Sequence, residues 1–401
     1  MDAIDGSLPA VAELFGNFQF EIYMEGLSGA KPPFPIAYRD LEAKAQEVLR
    51  PEAFDYVAGG AGSEDTAREN LEAFRRWRIV PRMLNGVAHR DLSTDLFGRS
   101  LPAPVLLAPV GVQAIVHPDA ELATATGAAS LGIPIVLSTA SSRSMEVVAE
   151  AMGDVPRWYQ LYWPNDPELC MSFVRRAEKA GYEAIVVTLD TTLLAWRPRD
   201  LQHAYLPFLL MEGVANYIED PILRSRLEKP PEEDVAAAVM AWGSVFPNPG
   251  LSWDDLAFLR ELTDLPILLK GIVHPKDAQR AVHAGVNGIV VSNHGGRQVD
   301  GAIATLDALP AVLKSVPGDF PVLLDSGIRT GADAFKALAL GARAVLLGRP
   351  YVWGLAVGGA EGVRHVLRSF LAELDLTVAL AGYTKVTDIG PKALERVERL
   401  G

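Results

Sequence analysis

One recurrence constrains this chain more than any other feature. From about residue 104 onward, short apolar runs ending in a polar or small residue alternate with Ala-rich helical stretches. The runs are Val105 to Pro109, Ile133 to Ser138, Trp158 to Tyr162, Ile185 to Asp190, Ile267 to Lys270, Ile289 to Ser292, Val322 to Asp325 and Val345 to Gly348. Near-continuous hydrophobicity marks strands buried on both faces, as in parallel sheets covered by helices. Eight such units with one interruption predict a closed (β/α)8, or TIM, barrel, with two open sheets the weaker alternative. The length of 401 residues suits one barrel with insertions, read here as a single domain over residues 1–401.

Two segments fall outside the repeat. Residues 1–103 contain an amphipathic stretch, Tyr38 to Leu49, and the turn Gly59-Gly60-Ala61-Gly62, and are expected to form a helical extension capping the barrel. Residues 203–250, between the fourth and fifth strands, carry Pro221, Pro230, Pro231, Pro247 and Pro249 and a charged run from Arg224 to Asp234. So long an interruption predicts a functional lid or a disordered segment, and it is assigned as a lid.

In such a barrel the chemistry gathers at the C-terminal ends of the strands. Here the ends offer Ser138, Gln160 with Tyr162, Thr188 with Asp190, Lys270, Asn293 with His294 and Arg297, Asp325, and Gly348 with Arg349. Any one of these suits an ordinary solvated strand end; seven in series point to a site. The last two strands run into Asp325-Ser326-Gly327-Ile328-Arg329-Thr330-Gly331 and Leu347-Gly348-Arg349-Pro350. Glycine turns beside helix N-termini at these two strands fit a phosphate-bearing cofactor, with Arg329 and Arg349 supplying charge and Asp325 accepting from a sugar or ribityl hydroxyl. In Ser292-Asn293-His294-Gly295-Gly296-Arg297-Gln298, the His is a candidate general base and the Arg a fork for a substrate carboxylate. Asp190 is expected to raise the His294 pKa, and Lys270 to stabilise developing negative charge.

Taken together, the Ser292–Gln298 motif, Leu269-Lys270-Gly271-Ile272, Gln160-Leu161-Tyr162, the Asp325–Gly331 turn and Leu347-Gly348-Arg349-Pro350 resemble the FMN-dependent 2-hydroxy acid oxidase and dehydrogenase family, from about Tyr38 to the C-terminus. The resemblance implies FMN as cofactor. It implies His294 as the base that takes the substrate hydroxyl proton, Asp190 as its stabiliser and Tyr162 near that hydroxyl. It assigns Arg297, Arg197 and Tyr56 to the carboxylate, and Lys270 to the flavin. Ser138, Gln160 and Thr188 would meet the isoalloxazine edge, with Pro109, Val110 and Gly111 beneath it. Ser292, Asp325, Ser326, Gly327, Arg329, Gly348 and Arg349 complete the cofactor site, which includes no metal.

Several features are similar to the lactate monooxygenase branch of that family. They are Glu21-Ile22-Tyr23, Tyr56-Val57-Ala58-Gly59-Gly60, Trp196-Arg197-Pro198-Arg199-Asp200, Ser326, Gly111 and the long insertion. Ala140 stands where glycolate oxidases carry Trp, which implies a larger pocket. The expected reaction is L-lactate and oxygen to acetate, carbon dioxide and water. The alternative is an oxidase releasing the 2-oxo acid and hydrogen peroxide, and a non-catalytic flavin barrel is remote.

The remaining expectations come from charge and composition. Lys and Arg number 37 against 50 Asp and Glu, a net charge of -13, which argues against nucleic acid and anionic membrane surfaces as partners. The acidic N-terminus, with Asp2, Asp5, Glu13 and Glu21, lacks a basic flank and apolar run. A single cysteine, Cys170, allows no internal disulfide. A cytoplasmic location is therefore expected. The partners are a small 2-hydroxy acid and oxygen, and the resemblance implies a homotetramer or homo-octamer.

Overall fold

The computed structural model describes residues 14–397, so Asp2, Asp5 and Glu13 lie outside the described residues. Eight strands form the barrel: β1 (Val105–Leu107), β2 (Ile135–Ser138), β3 (Arg157–Leu161), β4 (Ile185–Thr188), β5 (Ile267–Lys270), β6 (Gly288–Val291), β7 (Val322–Leu324) and β8 (Val345–Leu347). They pair in chain order, all parallel, and β8 closes on β1. The chain is thus a (β/α)8 barrel. Most strands stop one or two residues short of the apolar runs: Pro109 has no N–H for the ladder, and Asp190, Ser292, Asp325 and Gly348 lie just beyond the last paired residue.

Side chains alternate across a strand, and this period of two builds the site. Leu106, Val136, Trp158, Val186, Leu268, Val290, Leu323 and Leu346, one from each strand, pack together inside the barrel, each at most 4% exposed. Two residues further along the same eight strands come Ala108, Ser138, Gln160, Thr188, Lys270, Ser292, Asp325 and Gly348. The apolar plug therefore carries a polar layer directly above it, facing the C-terminal mouth. Residues between these positions, such as Leu107, Leu137, Tyr159, Val187 and Leu269, point outward into the core shared with the helices.

The first hundred residues are not wholly helical. Helices Phe18–Gly26, Tyr38–Val48, Pro51–Ala58 and Asp65–Arg75 are followed by a hairpin, Thr94–Leu96 with Arg99–Leu101, and Trp77–Ile79 pairs with Leu394–Arg396 near the C-terminus. The hairpin brings Leu96, Leu101 and Phe97 against the barrel's inner core, with Phe97 5.6 Å from Trp158. The apolar plug is thus completed by residues that precede the barrel.

The 203–250 segment is built of short helices, including Ala215–Ile218, Pro221–Ser225 and Val235–Val245. Asp220 and Asp234 accept N–H bonds from Ile222 and Ala237 at the starts of the last two. Among the described residues no helix is long and apolar enough to cross a membrane.

Candidate active site

A cleft of about 1050 Å³, including its open mouth, sits above the polar layer. It is lined by Tyr56, Pro109, Val110, Gly111, Ser138, Tyr162, Arg197, His294, Arg297, Asp325, Ser326, Gly327, Arg329, Gly348 and Arg349, all singled out from the sequence. Gln160, Thr188, Asp190, Lys270 and Ser292 stand immediately behind this lining. Ser138 Oγ donates to Gln160 Oε1 at 3.1 Å, strand register puts Thr188 beside Lys270, and Lys270 Nζ donates to Ser292 Oγ at 2.9 Å.

His294 is held in a left-handed backbone conformation at φ 58°, followed by Gly295 and Gly296 at 66° and 77°. Only glycine adopts two further such residues at low cost, so the His-Gly-Gly order follows from the turn. Asn293 pins the loop by exchanging hydrogen bonds of 2.8 Å with Asn70 and accepting the Gly296 N–H. The imidazole Nδ1 lies 2.7 Å from Asp190 Oδ1 and 3.1 Å from Thr191 Oγ1. With Nδ1–H donated to the carboxylate, Nε2 carries the lone pair. Nε2 is 3.4 Å from the Tyr162 hydroxyl in the cleft.

The electrostatics of this pair differ from the sequence expectation. Burial, assisted by Lys270 and Arg197, depresses the His294 pKa more than Asp190 raises it, and the net shift is downward. The correction has a simple cause: desolvation penalises the imidazolium, and a single carboxylate offsets only part of that penalty. For Asp190 the balance is reversed. Burial pushes its pKa up, but His294, Lys270 and Thr191 together hold it below the usual value. The dyad is therefore a neutral imidazole against a carboxylate.

Two guanidinium groups line the same cleft without a carboxylate in close contact. Arg297 Nη1 donates to the carbonyls of Tyr56 and Gly59 at 2.6 and 2.7 Å, and its cation lies 5.2 Å from the Tyr56 ring centroid. Arg197 donates to the Arg297 carbonyl and to Gln298 Oε1, while its nearest carboxylate, Asp200, is 3.9 Å away. Burial and the nearby Arg197 push Arg297 down to about 10. Buried like charges of this kind call for an anion.

At the other end of the cleft, Lys270 Nζ is 3.1 Å from Asp325 Oδ2. Burial lowers its pKa, but Asp325 and Asp190 outweigh that, and it is raised overall. Asp325, offered by the sequence as a sugar acceptor, is thus also the counter-ion of Lys270. Ser326, itself left-handed at φ 74°, donates to Asp325 Oδ1 and accepts the Gly295 N–H, joining the β6 and β7 loops. Arg349 is engaged with the carbonyls of Val57, Ala58, Gly59 and Gly295, and burial pushes it down to about 9. Arg329 lies over the Tyr38 ring with its Nε buried and unpartnered. Both arginines flank the start of the helix Arg349–Leu380, where Pro350 has no N–H and the Tyr351 N–H donates to the Gly348 carbonyl, so charge there comes from the two guanidinium groups and the positive end of the helix.

The donor set fits FMN. Gln160 Nε2 is buried without a partner at the end of β3, in the polar layer where an isoalloxazine edge would satisfy it. Gly327, Gly348, Arg329 and a helix start offer backbone and charge for a phosphate.

Sequence reasoning missed Thr191, which bonds both members of the dyad, and Gln298, which orients Arg197. It also missed the wall formed by Leu194, Phe208 and Phe246. Phe208, Trp242 and Phe246 stack at centroid distances of 4.8 and 5.1 Å, and Phe246 meets Tyr162 edge-on at 5.6 Å. The inserted segment thereby supplies one side of the cleft; its aromatics were the available signal.

Comparison with known proteins agrees with this geometry. Residues 45–396 match the model of the FMN-dependent dehydrogenase family. An L-lactate oxidase of Lysinibacillus sphaericus is 46% identical over 89% of this chain and 92% of its own. Human 2-hydroxyacid oxidase 1 is 43% identical over 88% of this chain and 95% of its own. Among solved structures, mandelate oxidase with (S)-4-hydroxymandelic acid superposes with a TM-score of 0.80 at 39% identity, covering 90% of this chain and 98% of that one.

Proposed function

This chain belongs to the FMN-dependent dehydrogenase family as an FMN-dependent 2-hydroxy acid oxidoreductase, and we propose that it oxidises L-lactate or a close L-2-hydroxy acid with oxygen as acceptor. The observation that carries the substrate class is the buried pair Arg197 and Arg297 in the same cleft as the His294–Asp190 dyad. A carboxylate on the guanidinium groups places the adjacent α-hydroxyl toward the base.

The chain's own residues do the following. Arg297 and Arg197 bind the substrate carboxylate, with Tyr56 packed under Arg297. Neutral His294 accepts the hydroxyl proton at Nε2, and Asp190 stabilises the imidazolium that results. Thr191 and Asp190 hold the tautomer that leaves Nε2 free. Tyr162 orients the hydroxyl. When bound, FMN would supply the acceptor for the α-carbon hydride and the redox link to oxygen. Gln160, Ser138 and Thr188 would hold its ring edge, Pro109, Val110 and Gly111 its underside, and Lys270 with Ser292 the charge near the ring. Asp325, Ser326, Gly327, Arg329, Gly348 and Arg349 would hold its ribityl phosphate.

For the fate of the product we favour the monooxygenase outcome: L-lactate and oxygen give acetate, carbon dioxide and water. What supports it is the aromatic wall from the inserted segment, since a covered cleft retains pyruvate while peroxide forms beside it. The second reading, an oxidase releasing pyruvate and peroxide, is favoured by the names of the relatives. Product analysis in air decides between them. Acetate with little peroxide supports the first reading, pyruvate with matching peroxide the second, and no flavin-dependent turnover of any 2-hydroxy acid rejects both.

Assembly as a homotetramer or homo-octamer belongs to the same proposal. Phe20, Tyr23, Met24 and Leu27 follow one helical stripe and are 60–80% exposed in the single chain. Light scattering on the eluting holoprotein tests it, and a monomeric mass overturns it.

A further inference from the structure

Val112 sits in the loop between β1 and the helix Ala120–Ala129 with φ 61° and ψ 33°. A β-branched residue in the left-handed region is a genuine outlier, and it persists only where its surroundings over-determine it. Its neighbours explain the persistence. The Val112 N–H donates to the Ala140 carbonyl at 2.8 Å. Tyr351 Oη donates to the Ala108 carbonyl at 2.9 Å, and Gln113 Nε2 to the Val110 carbonyl at 2.9 Å. Thr124 Oγ1 fixes Gln113 by donating to its Oε1 at 2.6 Å, and Gln113 in turn reaches the Tyr351 hydroxyl.

Glu121 closes this network. Its Oε1 accepts two backbone N–H groups, from Gln113 at 3.2 Å and from Ser142 at 3.1 Å, and so ties the loop after β1 to the loop after β2. Its Oε2 is buried without a partner, and the side chain borders a small internal cavity with Gln113, Thr124 and Tyr351. Burial, set against those N–H bonds and the charge of Arg143, pushes the carboxyl up to about 7. Such a group is a costly way to fill an interior, where an apolar side chain of similar shape serves the fold better. What it holds is the cleft: Val110, Gly111, Val112 and Ala140 all line it.

We propose that Glu121, with Gln113 and Tyr351, is a positioning clamp that keeps Val112 in its left-handed conformation and thereby sets the Pro109–Gly111 backbone and the Ala140 carbonyl against the bound FMN. The proposal rests on the cofactor placement given above. Glu121 touches neither substrate nor cofactor and acts through the loop it holds. Its loss leaves two backbone N–H groups unmade and lets Val112 relax toward the right-handed or extended region.

The test compares holoprotein carrying Glu121→Gln, Glu121→Leu and Tyr351→Phe with the parent, in the absence of substrate. Glutamine keeps an oxygen acceptor at Oε1 and leucine does not. Readouts are the visible absorption of bound FMN, FMN affinity by titration of the apoprotein, and unfolding temperature. Glu121→Gln is expected to retain the parental spectrum and an affinity within about twofold. Glu121→Leu is expected to shift the flavin band and to weaken FMN binding roughly 10- to 100-fold, as for one or two lost hydrogen bonds. Tyr351→Phe, which deletes one hydroxyl, is expected to move both readouts in the same direction by a smaller amount, and it keeps the idea testable should the leucine variant not fold. Parental spectra and affinities in folded Glu121→Leu, or in Tyr351→Phe if leucine fails to fold, overturn the clamp. A parent that binds no FMN overturns the site assignment itself, an outcome distinct from unaltered variants of a flavin-binding parent.

Discussion

Replacing Asp190 by Asn isolates the electrostatic part of the dyad. With its amide oxygen toward Nδ1, Asn still accepts Nδ1–H and keeps the tautomer, so the variant's main loss is the charge. The imidazole nitrogen and carboxylate oxygen are 2.7 Å apart. At an effective dielectric of about 20, unit charges at this distance attract by roughly 6 kcal/mol. If about half the positive charge has developed on His294 at the transition state, the loss is about 3 kcal/mol, a fall of roughly a hundredfold in the rate of flavin reduction. KM should change little, because Asp190 does not contact the carboxylate site. The pH profile adds a signed expectation. Neutral imidazole is the active form, so the rate falls as pH drops through the His294 pKa, which burial sets below the ordinary imidazole value of about 6.5. Asp190 is the group that raises that pKa; removing its charge moves the acid limb to still lower pH while the plateau drops. Anaerobic stopped-flow bleaching of the flavin band by L-lactate, measured from pH 5 to 8, reads both effects. A plateau within threefold of the parent, or an acid limb displaced upward, would mean that Asp190 does not act on His294 through its charge.

Other perturbations follow from the same geometry. Arg297→Lys loses the planar guanidinium that Nη1 anchors to the Tyr56 and Gly59 carbonyls and with it the fork for the substrate carboxylate, and KM for lactate should rise on the order of 10- to 100-fold with a smaller change in kcat. Lys270→Met leaves Asp325 buried without its cation, an expected cost of about 3–5 kcal/mol in stability, seen as a lower unfolding temperature and weaker FMN retention; an unchanged unfolding temperature contradicts the pairing. Phe246→Ala removes the ring shared by Trp242 and Tyr162 and should raise free peroxide per turnover, measured by a peroxide electrode; unchanged peroxide removes the inserted segment from the product-retention argument. Glu121→Gln abolishes a carboxyl whose folded pKa is raised to about 7. Such a group favours the fold below its unfolded value and loses that contribution as pH rises through 7, so the variant should gain on the parent by on the order of 3 kcal/mol between pH 4 and 8 in urea unfolding.

The barrel and most of the site were legible because one rule generates both. A strand with period two that buries Val136, Trp158, Val186, Leu268 and Val290 inside the barrel must present Ser138, Gln160, Thr188, Lys270 and Ser292 on the same face two residues later. A chain that puts polar groups at those positions, each behind an apolar run, has announced a layer facing the mouth. What was illegible arrives from outside that period. The Thr94–Leu101 hairpin enters the barrel from before its first strand, so no spacing within the repeat reveals that Phe97 will meet Trp158. Phe208 and Phe246 reach the cleft through an insertion whose register against the barrel is set by packing, and Thr191 differs from its neighbour Thr192 only in which way a loop turns. The depressed His294 pKa was missed for a related reason. The sequence names the partner, Asp190, but the burial that outweighs it is a property of the closed structure. The same holds for Glu121, which no motif singles out: only the fold turns it inward onto two backbone N–H groups of the loops that shape the cleft.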